Sequence, residues 1–507
     1  MNDFLVRGLY TDVVDIRRKV FIETAKLILN NDYKDVSKIK LEVLKIPFKI
    51  INKENATYRC CVHKERAIVA ERVRLALGLP LWEGALKGPV TTGIGTALKH
   101  EKIRTEEIVK VIPEACEKCE DNIIRVTDNC KKCLAHPCSL VCPVDAFSFT
   151  EEQAVINQEN CIKCRRCLNA CPYNSIIYQK RPCSAACGVK AIGSDNENRA
   201  VINHEKCVNC GMCITACPFG AIAAKSESVQ VLISLKEKRP MYAIIAPSFI
   251  GQFGPLVTQE QIISGIKKIG FRDVVEVAYG ADFTTVTEGK LWYKKIYGQG
   301  KKYIGTSCCP AWVDMTKKMF PKLSGNILDS HTPMVATAKY IKDKTPDAVV
   351  CFIGPCTAKK SESLRPEVIE YVDFVITFEE LAAILIAMDI ELAEMDKTEL
   401  HAHASGSGRN YAVSGGVANA FKEYINKFYP DAEVIIEKRD SLKECAGMLR
   451  QAESGSLRAN LLEGMACPGG CAGGAGVLAP IKYTSKKIDK FAKESEYYPA
   501  AENPEID

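Results

Sequence analysis

Glu463-Gly464-Met465-Ala466-Cys467-Pro468-Gly469-Gly470-Cys471, with Gly473, Gly474 and Gly476 close behind, is the stretch on which the reading of this chain turns. Its two cysteines sit in a turn whose glycines let the backbone approach a bound group closely. Two other loops share its character: Thr306-Ser307-Cys308-Cys309-Pro310-Ala311-Trp312 and Gly354-Pro355-Cys356-Thr357-Ala358-Lys359-Lys360. Brought together, these loops supply enough thiolates for one iron–sulfur cluster and leave one thiol over.

The segments around the loops read as an α/β scaffold. Residues 241–246 have the apolar run of a buried strand, ended by Pro247-Ser248. Thr258-x-x-Gln261 forms a capping box before a helix with Ile262, Ile263, Ile266 and Ile269, stopped by Gly270. Strands are expected over 273–278, 348–353, 374–377 and 411–413, and Thr377-x-x-Glu380 caps a helix over 381–388. Such alternation implies mostly parallel sheets with sites at the strand C-terminal ends, where the first two loops are expected. Gly406-x-Gly408 and Gly415-Gly416 fit neither phosphate-binding pattern and read as turns.

Upstream the cysteines are dense. Cys161-x2-Cys164-x2-Cys167-x3-Cys171-Pro172 and Cys207-x2-Cys210-x2-Cys213-x3-Cys217-Pro218 are full bacterial ferredoxin motifs. Cys130-x2-Cys133-x4-Cys138-x3-Cys142-Pro143 is a third with longer middle spacing. Residues 137–144 resemble residues 182–189, and Ala-Val-Ile-Asn follows each, at 154–157 and 200–203, which marks an internal duplication. Inserting one two-cluster unit, 130–171, inside another gives four sets: Cys130, Cys133, Cys138 with Cys171; Cys161, Cys164, Cys167 with Cys142; Cys207, Cys210, Cys213 with Cys187; and Cys116, Cys119, Cys183 with Cys217. A simple ferredoxin pairing of Cys171 with the 207 motif and Cys217 with the 161 motif is the rival, and a zinc site at Cys116, Cys119, Cys130 and Cys133 is another. Val144, Ala146, Phe147, Phe219, Ala221 and Ile222 are expected to pack over the clusters and limit solvent.

The whole chain has 507 residues, 47% hydrophobic, 26% charged, with a formal charge of +6. That composition is globular, and no aromatic-interleaved basic stripe marks a nucleic-acid surface. The N-terminal residues lack a signal-peptide core, and no apolar run is long enough to span a membrane. The expectation is a cytoplasmic protein, where 25 cysteines point to metal rather than disulfides. In the helical first 115 residues, Val13, Ile16, Val20 and Phe21 mark one helix and residues 65–77 another. Cys60, Cys61 and His63 read as packed side chains rather than a metal site.

The three loops resemble the signature motifs of the iron-only (FeFe) hydrogenases, across residues 241–476. The form Thr306-Ser307-Cys308-Cys309-Pro310-Ala311-Trp312 and the preface Tyr58-Arg59-Cys60-Cys61-Val62-His63 resemble the monomeric group B branch. The resemblance implies an H-cluster whose cubane is bound by Cys309, Cys356, Cys467 and Cys471. Cys471 also bridges to a two-iron subsite with CO, cyanide and a dithiolate. It implies Cys308 as proton donor, Lys359, Pro247 and Ser248 as cyanide anchors, and Met465 lining the subsite. Four thiolates fix a cubane, a spare thiol is a usable acid, and a lysine suits an anionic metal–cyanide group. Three positions depart from the better-studied branch. Gly354 stands where methionine is usual, and Met334 stands where a hydrogen-bonding glutamine is usual. Glu288 matches the inner glutamate of the proton path, but Leu291 replaces the outer one. Asp329, Ser330 and His331 are candidates for the exit.

The reading is therefore an α/β two-lobed hydrogenase catalytic domain (229–480) with mostly parallel sheets. It is preceded by a helical region (1–115) and α+β ferredoxin-like 4Fe–4S domains (116–228), and followed by a tail (481–507). The expected reaction interconverts protons and electrons with H2. Electrons pass through about four accessory 4Fe–4S clusters from a ferredoxin-like carrier, and maturation factors supply the H-cluster. A hydrogen-sensing relative with low turnover and a non-catalytic iron–sulfur carrier or assembly protein are the alternatives.

Overall fold

Short apolar runs rich in Val, Ile and Phe, buried on both faces, build the sheet beneath the second loop. In the computed structural model, which describes residues 10–82, 88–102, 105, 107–398 and 404–506, this sheet has the order Asp273–Glu276, Met241–Ile245, Val349–Gly354, Phe374–Thr377, every pair parallel. A second parallel sheet runs Ile304–Gly305, Leu461–Met465, Ile436–Asp440. Both capping boxes form, at Thr258 with Gln261 and at Thr377 with Glu380.

Two expected strands differ. The strand beginning at Asp273 stops at Glu276, and Val277–Tyr293 is a helix. Its small residues decide this: a Cβ at Gly280 would lie 2.2 Å from Thr337 Oγ1 and 2.4 Å from the Pro333 carbonyl. The segment thus packs as a helix closely against Pro333–Lys344. Asn410–Ala412 is a 3-10 turn rather than a strand. The helix Gly416–Phe428 follows, and the Glu463 carboxylate accepts from its Gly415 and Ala418 N–H groups at 2.6 and 2.8 Å. A side chain from the third loop thus occupies the place where a phosphate would bind.

The cysteine-rich region shows one small α+β unit inserted in another. Val109–Val111 pairs with Ile222–Ala224, and Ile192–Ser194 with Ala200–Ile202. Between the first of these strands and the rest lie Ile123–Val126 with Ile176–Gln179, and Phe147–Phe149 with Ala154–Ile156. Repetition reaches the backbone. The residue three places after Cys142, Cys171, Cys187 and Cys217 has positive φ, at Asp145, Asn174, Lys190 and Gly220. The next N–H donates back to each cysteine sulfur, at 3.3, 3.4, 3.2 and 3.3 Å.

The N-terminal helices are part of the same body. Asp12–Leu29 packs on Phe378–Ala387, and Arg17 donates to Glu379 at 2.7 Å. Lys236 Nζ caps the end of the first helix through the carbonyls of Ile28, Leu29 and Asn31. Cys60 and Cys61 are exposed, not packed. The buried Glu65 carboxylate ties down the N–H groups of Thr57, Tyr58 and Arg59, which turns the two thiols outward ahead of the helix Val62–Ala76.

Candidate active site

All three cysteine loops leave the C-terminal ends of parallel strands: Ile304–Gly305, Val349–Gly354 and Leu461–Met465. Pro247-Ser248 leaves a fourth, Met241–Ile245. The two sheets aim these ends at one cavity, lined by Cys308, Cys309, Cys356, Cys467, Cys471 and Lys359 and otherwise almost wholly apolar. The cavity has a volume of about 80 Å³. Gly470 has φ +81°, and a Cβ there would come within 2.7 Å of the Ser414 N–H, so the turn carrying Cys471 requires glycine.

Pro247, Met334 and Met465 also line the cavity. Phe352 does too, although nothing in the sequence distinguishes it. A side chain at Gly354 would meet the Phe352 ring at 2.5 Å, so phenylalanine two residues earlier fills the space that a residue at 354 would take.

Lys359 lines the cavity, and its Nζ lies 2.6 Å from Glu362 and 3.1 Å from Thr332 Oγ1. Ser248, next to Pro247, does not line the cavity; its Oγ is fully buried and has no partner among the described residues. Soft thiols and one cation along an apolar cavity fit an iron–sulfur cluster joined to an anionic group.

Burial holds the Cys308 thiol well above its ordinary range, and the charges of Cys309, Glu463 and Glu288 add to this. Burial likewise pushes Glu288 up to about 7. Ser307 and Ser330 both donate to one Glu288 oxygen, and the other oxygen is buried without a partner among the described residues. Ser330 is half-buried, with Asp329 and His331 exposed on either side. Leu291 packs with the partly buried residues around Trp292 and Tyr424 and takes no part. Proximity of Ser307 to Glu288 could not be seen in the sequence, because 19 residues and a sheet crossing separate them.

The upstream cysteines gather in groups. Cys116, Cys119, Cys183 and Cys217 line one small cavity, and burial, then Cys217, raises the Cys183 thiol to about 12. Cys142, Cys161, Cys164 and Cys167 line another. Burial raises Cys138, with Cys133 and Cys171 as neighbouring charges, and Cys130 stands in the same loop as Cys133. Cys213 is raised by burial and then by Cys210, Cys207 and Cys187. Val144, Ala146 and Phe147 line one of these cavities and Phe219, Ala221 and Ile222 the other, although Val144 and Phe219 are 38% and 37% exposed.

No disulfide is formed. Among the described residues no three His, Cys, Asp or Glu side chains converge as a single ion requires. Cys130 and Cys133, the other half of the alternative zinc set, do not line the small cavity that holds Cys116 and Cys119. Two of the groups and the main cavity are also adjacent: Cys213 lies near Cys183, and Cys210 lies near Cys356 and lines the main cavity.

Residues 239–475 match the family described as iron only hydrogenase large subunit, C-terminal domain. Residues 200–223 match a 4Fe-4S binding domain, and residues 129–180 match the LdpA Fe-S cluster-binding domain. Residues 239–475 are thus iron-only hydrogenase-like, and the cysteine-rich stretches before them match iron–sulfur cluster-binding domains. It is 26% identical to Iron hydrogenase 1 of Clostridium pasteurianum over 385 residues, 66% of this chain and 67% of that protein. It is 23% identical to cytosolic iron-sulfur assembly component 3 of Bos taurus over 317 residues, 52% of this chain and 66% of that protein. A HydA [FeFe]-hydrogenase structure overlays with a TM-score of 0.46 at 21% identity, over 55% of this chain and 93% of that one. Among the described residues no helix is long and apolar enough to cross a membrane.

Proposed function

We propose that this protein is an FeFe hydrogenase that interconverts two protons and two electrons with H2. The observation that supports this most is the convergence of five thiols and Lys359 on one apolar cavity that Cys210 also lines. Cys309, Cys356, Cys467 and Cys471 would hold the cubane of an H-cluster. When bound, that cofactor supplies the iron centre at which protons and electrons combine. Lys359 would balance its negative charge, Pro247 would face it, and Met334, Met465 and Phe352 would exclude water.

Cys308 holds its proton at Sγ, because burial disfavours the thiolate. Glu288, at about 7, exchanges a proton near neutral pH, as a relay requires. Ser330, bonded to the same carboxylate, continues the route to the surface and passes Leu291 by. Electrons would reach the cavity through the set containing Cys187, Cys207, Cys210 and Cys213. The further sets Cys116/Cys119/Cys183/Cys217, Cys130/Cys133/Cys138/Cys171 and Cys142/Cys161/Cys164/Cys167 would make four accessory cubanes.

The similarity to an iron–sulfur assembly component favours a second reading, a non-catalytic carrier. Hydrogen evolution by matured holoprotein with reduced methyl viologen separates the two. The hydrogenase reading expects turnover in the wild type and a loss of about 100-fold or more in Cys308→Ala, on the scale of lost acid–base catalysis. No turnover by fully loaded wild type supports the carrier reading instead.

A further inference from the structure

Two copies of one cysteine loop present different faces. Between its cysteines the loop at 161–167 carries Ile162, Lys163, Arg165 and Arg166, while the loop at 207–213 carries Val208, Asn209, Gly211 and Met212. The neighbouring inner loop adds Lys131 and Lys132. Val208 and Met212 are 2% and 5% exposed, covered by the catalytic domain. Ile162, Leu134 and Leu140 are 61%, 98% and 81% exposed, and Cys164 is itself exposed. Lys131, Lys132, Arg165 and Arg166 are exposed as well. The helices Pro137–Leu140 and Arg166–Ala170 pack together, which places Leu140 beside the basic loop.

We infer that this face of the inner unit is the docking surface for a small acidic iron–sulfur protein that exchanges electrons with the cluster at Cys164. The inference rests on the hydrogenase reading for its purpose but not for its test. Five basic residues and no acidic ones lie in the stretches 130–133 and 161–167. None of the five is ion-paired among the described residues. Asp128, Asp145, Glu151, Glu152 and Glu159 lie outside those stretches and nearly balance the unit's charge. The positive field is therefore local, suited to a local acidic patch rather than a long polyanion. Neutralising the cluster's own charge does not account for it, because the loop at 207–213 frames the same cysteine spacing with no basic residue. Exposed apolar side chains within a cationic rim suit a weak, fast-dissociating contact steered by charge.

The test mixes full-length, cluster-loaded protein with a reduced acidic two-cluster ferredoxin and follows bleaching of the acceptor clusters by stopped flow. Cluster reduction is read directly, so the result stands whether or not the protein turns over H2. In the variant Lys131→Glu/Lys132→Glu/Arg166→Glu the second-order rate at low salt falls by about tenfold or more. Wild-type rate also falls with added salt, and reduction by methyl viologen radical does not fall in the variant. If the charge reversal disturbs cluster loading, the triple Gln variant gives a smaller fall in the same direction. An unchanged ferredoxin rate, or equal losses with ferredoxin and viologen, overturns the proposal.

Discussion

Arg165 and Gly211 occupy the same place in two copies of one loop, and both have positive φ, 64° and 75°. In the inner unit that place faces solvent, and the Arg165 guanidinium lies 3.8 Å over the Tyr178 ring. In the outer unit it faces the catalytic domain. There a Cβ would stand 2.6 Å from both Ala475 Cβ and Thr357 Oγ1. Thr357 donates to the Asn209 carbonyl at 2.7 Å, one residue from the cavity-lining Cys356. Duplication supplied two equivalent cluster carriers. Their surroundings then differ: one loop faces solvent and the other is covered by the domain that carries the main cavity.

The strongest way to break that contrast is to remove a thiol from each. Cys210→Ala should abolish electron delivery to the cavity and lower hydrogen turnover about 100-fold or more with either viologen or a protein donor, since metal-site losses of this kind are large. Cys164→Ala should spare most viologen-driven turnover and slow only the protein donor. Equal effects of the two would mean that the units are not arranged in series.

Exchanging the loop residues sharpens the same point through stability. Gly211→Arg adds overpacking and a left-handed backbone penalty, a combined cost of about 3 kcal/mol or more. It should show as a lowered thermal midpoint in holoprotein. Arg165→Gly loses a stacking contact but relieves its backbone, and should shift stability by less than about 1 kcal/mol. Comparable shifts would contradict the assignment of open and covered faces.

The two ends also differ in their response to pH, because the buried one holds Glu288. Its carboxyl is raised to about 7 by burial, so the folded protein holds that proton more tightly than the unfolded chain does. This contribution is full below the ordinary carboxylate pKa and is lost as pH rises through about 7. Over that window it amounts to about 3 kcal/mol. Wild type and Glu288→Gln should therefore be nearly equal in stability at mildly acid pH, with the variant the more stable at pH 8. Parallel curves from chemical denaturation at both pH values would remove Glu288 as the buried acid.

Ser330→Ala is the smallest of these effects. It should lower turnover several-fold with little change in cluster reduction, and an unchanged rate would place the proton exit elsewhere.

Much of this was legible in the chain itself. Cysteine spacing and the duplicated Ala-Val-Ile-Asn segments marked the cysteine groups, because thiolate clusters need short, fixed loops. Capping boxes at Thr258 and Thr377 located two helices. Less legible were features that depend on neighbours far along the chain. Phe352 lines the cavity only because residue 354 is glycine. The exposure of Cys60 and Cys61 depends on the Glu65 carboxylate, and the strand at Asp273 stops early because Gly280 lets a helix pack against Thr337. Ser307 and Ser330 meet Glu288 only in the folded chain.

Infrared spectroscopy of anaerobic protein produced with hydrogenase maturation factors tests the central claim most directly. The account predicts CO and cyanide stretching bands in the wild type that persist in Cys308→Ala. Their absence from protein that has taken up its full iron–sulfur content would contradict it.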